Sequence, residues 1–168
     1  MVYLIGYMGV GKTTLAKLLA KELHLPFYDT DQEIERKENR SVSEMFKIDG
    51  ELHFRMLETE LLKRLNSKAI IACGGGIPTH NNNMEIINAK GISIYLKASA
   101  NCLANRLKEE KQNRPLIANL PNTELEPYIK KELQNRSPFY ALAHHIIVVD
   151  DKNTDEILRE IHALTSTF

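Results

Sequence analysis

Residues Gly6 to Thr14 read GYMGVGKTT, directly after the apolar run VYLI at positions 2–5. The chain has eight glycines in 168 residues, and three of them, Gly6, Gly9 and Gly11, stand here within six positions. With Lys12 and Thr13 they fit glycine, four residues, glycine-lysine, then serine or threonine, a loop that binds phosphate when a strand precedes it and a helix follows. Both flanks meet that condition, because TLAKLLAKEL after the loop spaces Leu15, Leu18, Leu19 and Leu23 as a helix does. Phosphate oxygens must reach successive backbone amides, and a Cβ in the glycine positions would block the approach or the backbone angles it needs. Lys12 brings a compact positive charge, the Thr13 hydroxyl is a ligand type suited to Mg2+, and the amides at a helix start favour an anion. A nucleoside triphosphate site is therefore expected on Gly9, Val10, Gly11, Lys12, Thr13 and Thr14.

Outward from this loop, short apolar runs alternate with segments of helical period. VYLI (2–5), PFYD (26–29), AIIAC (69–73), ISIYL (92–96) and HIIVV (145–149) read as strands. Helices are expected near 12–23, 32–39, 50–66, 82–90, 99–110, 124–135 and 154–164. Strands that are apolar throughout and separated by helices form a parallel sheet covered on both faces, so the fold class is three-layer α/β. The segment from Lys108 to Pro127 breaks the rhythm with three prolines and little apolar period. Proline disfavours helix and strand interiors, which predicts a surface excursion of lid-like length.

Length and composition set limits on what surrounds the loop. A chain of 168 residues suits one domain with a real core. Basic and acidic residues balance at 22 each, so no global field draws the protein to nucleic acid or to an anionic membrane. Cys73 and Cys102 form no CxxC pair and suit a reducing compartment. The start of the chain carries no leader pattern and no apolar run approaches a membrane span, so a soluble cytoplasmic protein is expected. The six histidines show no metal-ligand spacing, and His144 and His145 read as structural. No heptad or apolar stripe argues for an oligomer, which leaves a monomer as the expectation.

The carboxylates narrow the chemistry. FYDTD puts Asp29 and Asp31 at the end of the second strand, two apart and so on one face, and strand ends of this kind line the ligand crevice of an open parallel sheet. One carboxylate can serve Mg2+ and the other a substrate hydroxyl, although Asp31 could also simply cap the helix that follows. In GELHFRMLETELLKRL the apolar stripe Phe54, Leu57, Leu61, Leu62, Leu65 encloses Glu58, for which Arg55 three residues earlier is the natural partner. An arginine fixed in that way is either a structural ion pair or a fork for an anion. A second triplet of bare backbone, Gly74 to Gly76 in ACGGGIP, calls for its own explanation.

Taken together, GYMGVGKTT, DTD, FRMLE, the glycine triplet, NRPL and NRSPFY resemble shikimate kinase in content, order and spacing over residues 2 to about 150. The resemblance implies a P-loop kinase fold of the nucleoside-monophosphate-kinase type, sheet order 2-3-1-4-5, with a substrate region near 31–60 and a lid near 109–123. It implies ATP-dependent phosphorylation of the shikimate 3-hydroxyl, on the route to aromatic amino acids. Carried over by position, Asp31 contacts substrate hydroxyls, Arg55 and Arg136 hold the carboxylate, and Gly75 and Gly76 offer backbone to the substrate. Asp29 and Thr13 attend Mg2+, Lys12 and Arg114 act on the transferred phosphoryl group, and Arg114 closes with the lid. Arg106 is the candidate for stacking on adenine, with the segment DDKNTDEIL beside the base.

Two other readings share features with this one. A gluconate-type kinase has the same loop and a substrate that also carries hydroxyls and a carboxylate, but the DTD, FR and GGG combination favours shikimate. A kinase-like binding module without catalysis would be expected to have lost Lys12, Asp31 or Arg136, and all three are present.

Overall fold

The structure, a computed structural model, describes residues 1–109, 111 and 116–165. Its elements in chain order are β1 (Val2–Ile5), α1 (Lys12–Leu23), β2 (Phe27–Asp29), α2 (Thr30–Glu38), α3 (Val42–Ile48), α4 (Glu51–Arg64), β3 (Ile70–Ala72), α5 (Asn83–Lys90), β4 (Ile92–Lys97), α6 (Ala100–Leu107), α7 (Asn122–Tyr140), β5 (His145–Val148) and α8 (Thr154–Thr165). Among the described residues the strands form one parallel sheet, as the apolar runs predict, in the order β2-β3-β1-β4-β5 that the resemblance implies.

The alternation of strand side chains separates two cores. Val2, Leu4, Ile70, Ala72, Ile94 and Leu96 face α1, α6, α7 and α8, where Leu15, Leu19, Leu103, Ile129 and Ile161 close the larger core. Tyr3, Ile5, Ile71 and Tyr95 face the other way, onto Leu62 of α4, Ile87 of α5 and Tyr140 at the end of α7. Both faces of β1 are fully buried, which is why VYLI shows no polar alternation. A third, smaller cluster of Ile34, Met45 and Phe54 ties α2, α3 and α4 into a unit beside the strand ends.

Three sequence expectations change. Helix α3 was not anticipated, although its start carries a readable signal: Ser41 accepts from the Glu44 amide while Glu44 accepts from the Ser41 amide, a capping box. Helix α7 begins at Asn122, inside the expected excursion, and continues to Tyr140 instead of ending near 135, with Pro127 and Pro138 inside it. The missing amide of Pro138 is offset at the far end, where Tyr140 is fully buried and its hydroxyl donates to the Gly75 carbonyl at 2.7 Å. Helix α2 begins at Thr30 because Asp29 is its N-cap, accepting from the amides of Asp31 at 3.1 Å and Gln32 at 3.3 Å. Asp31 therefore sits in the first helical turn, not on a strand face shared with Asp29, and it is not the cap.

Candidate active site

The phosphate loop closes over the start of α1. Gly11 caps that helix in the left-handed region, φ 100°, with no side-chain cap and no acidic residue in the first turn, so the first amides remain open to an anion. Lys12 folds back across the loop, and its Nζ donates to the carbonyls of Gly6 and Tyr7, each at 2.9 Å. A cleft of about 240 Å³ lies above, lined by Gly9, Gly11, Lys12, Thr13, Thr14 and Asp29 among others. Val10 is the exception in the expected set: its side chain is buried in the core and only its backbone serves the loop, with its carbonyl accepting from Arg106 Nη1 at 3.2 Å. Arg106 thus reaches from α6 over the loop. Arg114 lies outside the described residues, as does part of the segment expected to form the lid.

Each residue of the DTD stretch has a separate task. Asp29 uses Oδ1 to cap α2 and Oδ2 to accept from the Thr13 hydroxyl at 2.7 Å. Thr30, fully buried, accepts from the Gly74 amide at 2.7 Å and so fixes the glycine triplet against the start of α2. Asp31 turns its carboxylate inward, where Oδ1 is buried without a hydrogen-bond partner. Burial, with the neighbouring Asp29 charge, raises the Asp31 carboxyl to about 6, against the pull of Lys12 and Arg55.

A second cleft, about 260 Å³, adjoins the first and shares Met8, Asp31, Gly74 and Gly75 with it. Arg55 and Arg136 both line this cleft, brought together from α4 and α7 although they are far apart in sequence. Arg55 Nη1 donates to Glu58 Oε2 at 2.8 Å, the pairing expected from the sequence. Glu58 is fully buried, and burial raises its carboxyl to about 7 against the pull of Arg55. The sequence reading missed Glu51, which takes both Nε and Nη2 of Arg55 at 3.1 and 2.7 Å. It also missed Glu132, which holds Arg136 Nη2 at 2.5 Å. Both glutamates stand four residues before their arginine, a spacing that was available as a signal.

The glycine triplet is explained in part by these side chains. A Cβ on Gly74 would approach Asp31 Oδ1 and Glu58 Oε1 closer than 3.0 Å, and one on Gly76 would run into the Arg55 guanidinium. Gly75 meets no such contact, and its carbonyl accepts from Tyr140 and, at 3.4 Å, from Arg136 Nη1. Gly75 and Gly76 both line the second cleft. His144 accepts from the Ser93 amide through its ring Nδ1 at 3.2 Å. Among the described residues no group of three or more His, Cys, Asp or Glu side chains could hold a metal, and no helix is long and apolar enough to cross a membrane.

The family model for shikimate kinase matches residues 8–165. The chain belongs to the shikimate kinase family. A shikimate kinase of Flavobacterium johnsoniae is 43% identical over 164 residues, 95% of both chains. The 1.7 Å crystal structure of shikimate kinase from Bacteroides thetaiotaomicron superposes with a TM-score of 0.90 at 34% identity, covering 98% of this chain and 97% of that one. Shikimate kinase from Acinetobacter baumannii in complex with shikimate gives a TM-score of 0.88 at 34% identity, covering 99% and 93%. Shikimate kinases are ATP-dependent, which agrees with a loop built for phosphate beside a cleft with paired guanidinium groups.

Proposed function

We propose that this protein transfers the γ-phosphoryl group of ATP to the 3-hydroxyl of shikimate, giving shikimate 3-phosphate and ADP. The observation that carries the reading is one cleft in which Arg55, Arg136 and Asp31 converge and which opens onto the phosphate loop. Two guanidinium forks suit a carboxylate, and a carboxylate lining the same cleft suits hydroxyls. Arg55 and Arg136 bind the substrate carboxylate, and the backbone of Gly75 and Gly76 borders the ring. The Asp31 carboxylate orients the attacking hydroxyl and takes its proton as the oxygen bonds to the γ-phosphorus, while the bond to the β–γ bridging oxygen breaks and its electron pair leaves with ADP. A carboxyl raised to about 6 is a stronger base than an ordinary aspartate and is still ionised at neutral pH.

Lys12 and the amides of Gly9 to Thr14 hold the β and γ phosphates, with Arg106 toward the adenine end and Arg114, in the expected lid before α7, acting on the transferred group. Thr13 and Asp29 offer adjacent hydroxyl and carboxylate oxygens, a donor set that fits Mg2+, an ion bound through few protein ligands plus phosphates. Mg2+ held there supplies neutralisation of the phosphate charge. We take the enzyme as one domain and a monomer of the cytoplasm, a reducing compartment that suits its two free thiols.

The test is ADP release, followed in a coupled assay with shikimate and gluconate side by side. Shikimate-dependent release with little or none on gluconate is expected. Equal or faster release with gluconate overturns the substrate assignment.

A further inference from the structure

Tyr7 belongs to the phosphate loop by position, yet its side chain borders neither cleft. It is 1% exposed, and its ring lies beneath the guanidinium of Arg136, whose Cζ is 5.1 Å from the ring centroid. Its hydroxyl is buried with no hydrogen-bond partner, and burial holds the phenol neutral, with its pKa well above the ordinary value. Whatever the residue contributes therefore comes from the aromatic face and not from the oxygen.

Arg136 needs such a face. Among the described residues its in-plane restraints are Glu132 on Nη2, a side-chain hydrogen bond with Tyr140 and a long contact of 3.4 Å from Nη1 to the Gly75 carbonyl, all at edges of the guanidinium. Edge contacts leave the tilt of the plane free, whereas a ring beneath it sets that tilt through cation–π attraction, which strengthens where water is excluded. We propose that Tyr7 is a positioning residue for the substrate: its ring fixes the plane of Arg136, so that the fork is aimed at the substrate carboxylate before that group arrives. The inference rests on the reading of Arg136 as half of the carboxylate grip. It assigns a phosphate-loop side chain to the acceptor side of the reaction, while the backbone of the same residue serves the nucleotide side by accepting from Lys12.

Steady-state kinetics on the full chain with Tyr7→Phe, Tyr7→Met, Tyr7→Leu and Arg136→Lys test this. Phe keeps the ring, so its shikimate KM stays within about twofold of the parent, and loss of an unpartnered buried hydroxyl leaves Tm equal or higher. Met keeps most of the volume without the π face, and Leu removes both. Each should raise the shikimate KM about three- to thirtyfold, with ATP KM and kcat within about twofold. An unchanged shikimate KM in Met and Leu overturns the proposal. So does an equal rise in ATP KM, which would mark a nucleotide role, or failure of both variants to fold, which would mark a core residue alone. If Arg136→Lys itself leaves the shikimate KM unchanged, the carboxylate reading fails; if it raises KM while the Tyr7 variants do not, only the Tyr7 assignment fails.

Discussion

At Asp31, position and function separate cleanly. Asp29 does the capping, so replacing Asp31 with Asn or Ala disturbs no helix cap. Asp31→Asn should lower kcat by about 10² to 10⁴, the span typical of a lost general base, while ATP still binds. Stability adds an independent check with a definite sign. The folded-state pKa of about 6 lies above the unfolded value of roughly 3.9, so the native state binds the proton more tightly. Native stability then falls as pH rises from about 4 to 6 and levels off above. The Asn variant lacks this cost, so its Tm should exceed that of the parent at pH 8, with the gap narrowing at pH 5. An active Asn variant, or a gap that widens as pH falls, would sink the assignment. In the sequence, the strand was expected to end at Asp29, as it does; what DTD did not show is that Asp29 itself caps α2, so that the helix starts within the motif and Asp31 falls in its first turn.

Helices α4 and α7 repeat one device. Each presents an arginine to the cleft and a glutamate one turn earlier to hold it, Glu51 with Arg55 and Glu132 with Arg136. The side chains of Arg55 and Arg136 are only 8% and 14% exposed, so these are forks held largely out of water and not mobile surface cations. Arg55→Lys and Arg136→Lys should each raise the shikimate KM about tenfold or more and leave the ATP KM near its parent value, because an ammonium cannot reproduce a planar bidentate grip. Parallel changes in both KM values would count against a carboxylate role. Arg136, beyond the end of the helix expected at 124–135, came only with the family resemblance, whereas the Arg55–Glu58 pairing was legible from helical spacing alone. The reach of α7 was not, since local rules stop a helix at Pro138, and what carries it onward is tertiary: Tyr140 buried against Tyr95, with ring centroids 4.9 Å apart, and bonded to Gly75. Helix α3 was hidden differently, its seven residues being too short for periodicity to show, so only the Ser41–Glu44 cap announced it.

For the whole molecule, the layering followed from the alternation of apolar runs and helices, whereas the strand order came only with the family resemblance; two clefts sharing Met8, Asp31, Gly74 and Gly75 are what that topology produces at the strand ends. Tyr7 could not have been placed by sequence, because its pattern position speaks for nucleotide while its ring points to a helix more than a hundred residues away. Two adjoining clefts in one cooperative unit make ligand binding visible as stability. A ligand at about a hundred times its Kd stabilises the native state by about 2.7 kcal/mol, which in a chain of this size raises Tm by roughly 5–11 °C. ATP with Mg2+ and shikimate should each produce such a shift alone, and the two together should exceed either. Lys12→Ala removes the charge over the phosphates without touching the core, so it should abolish phosphoryl transfer, lose most of the ATP shift and keep the shikimate shift. Loss of both shifts would mean that Lys12 shapes the acceptor cleft as well, through its bonds to the Gly6 and Tyr7 carbonyls. Retention of both, with turnover intact, would remove the phosphate-loop assignment from which the fold was first read.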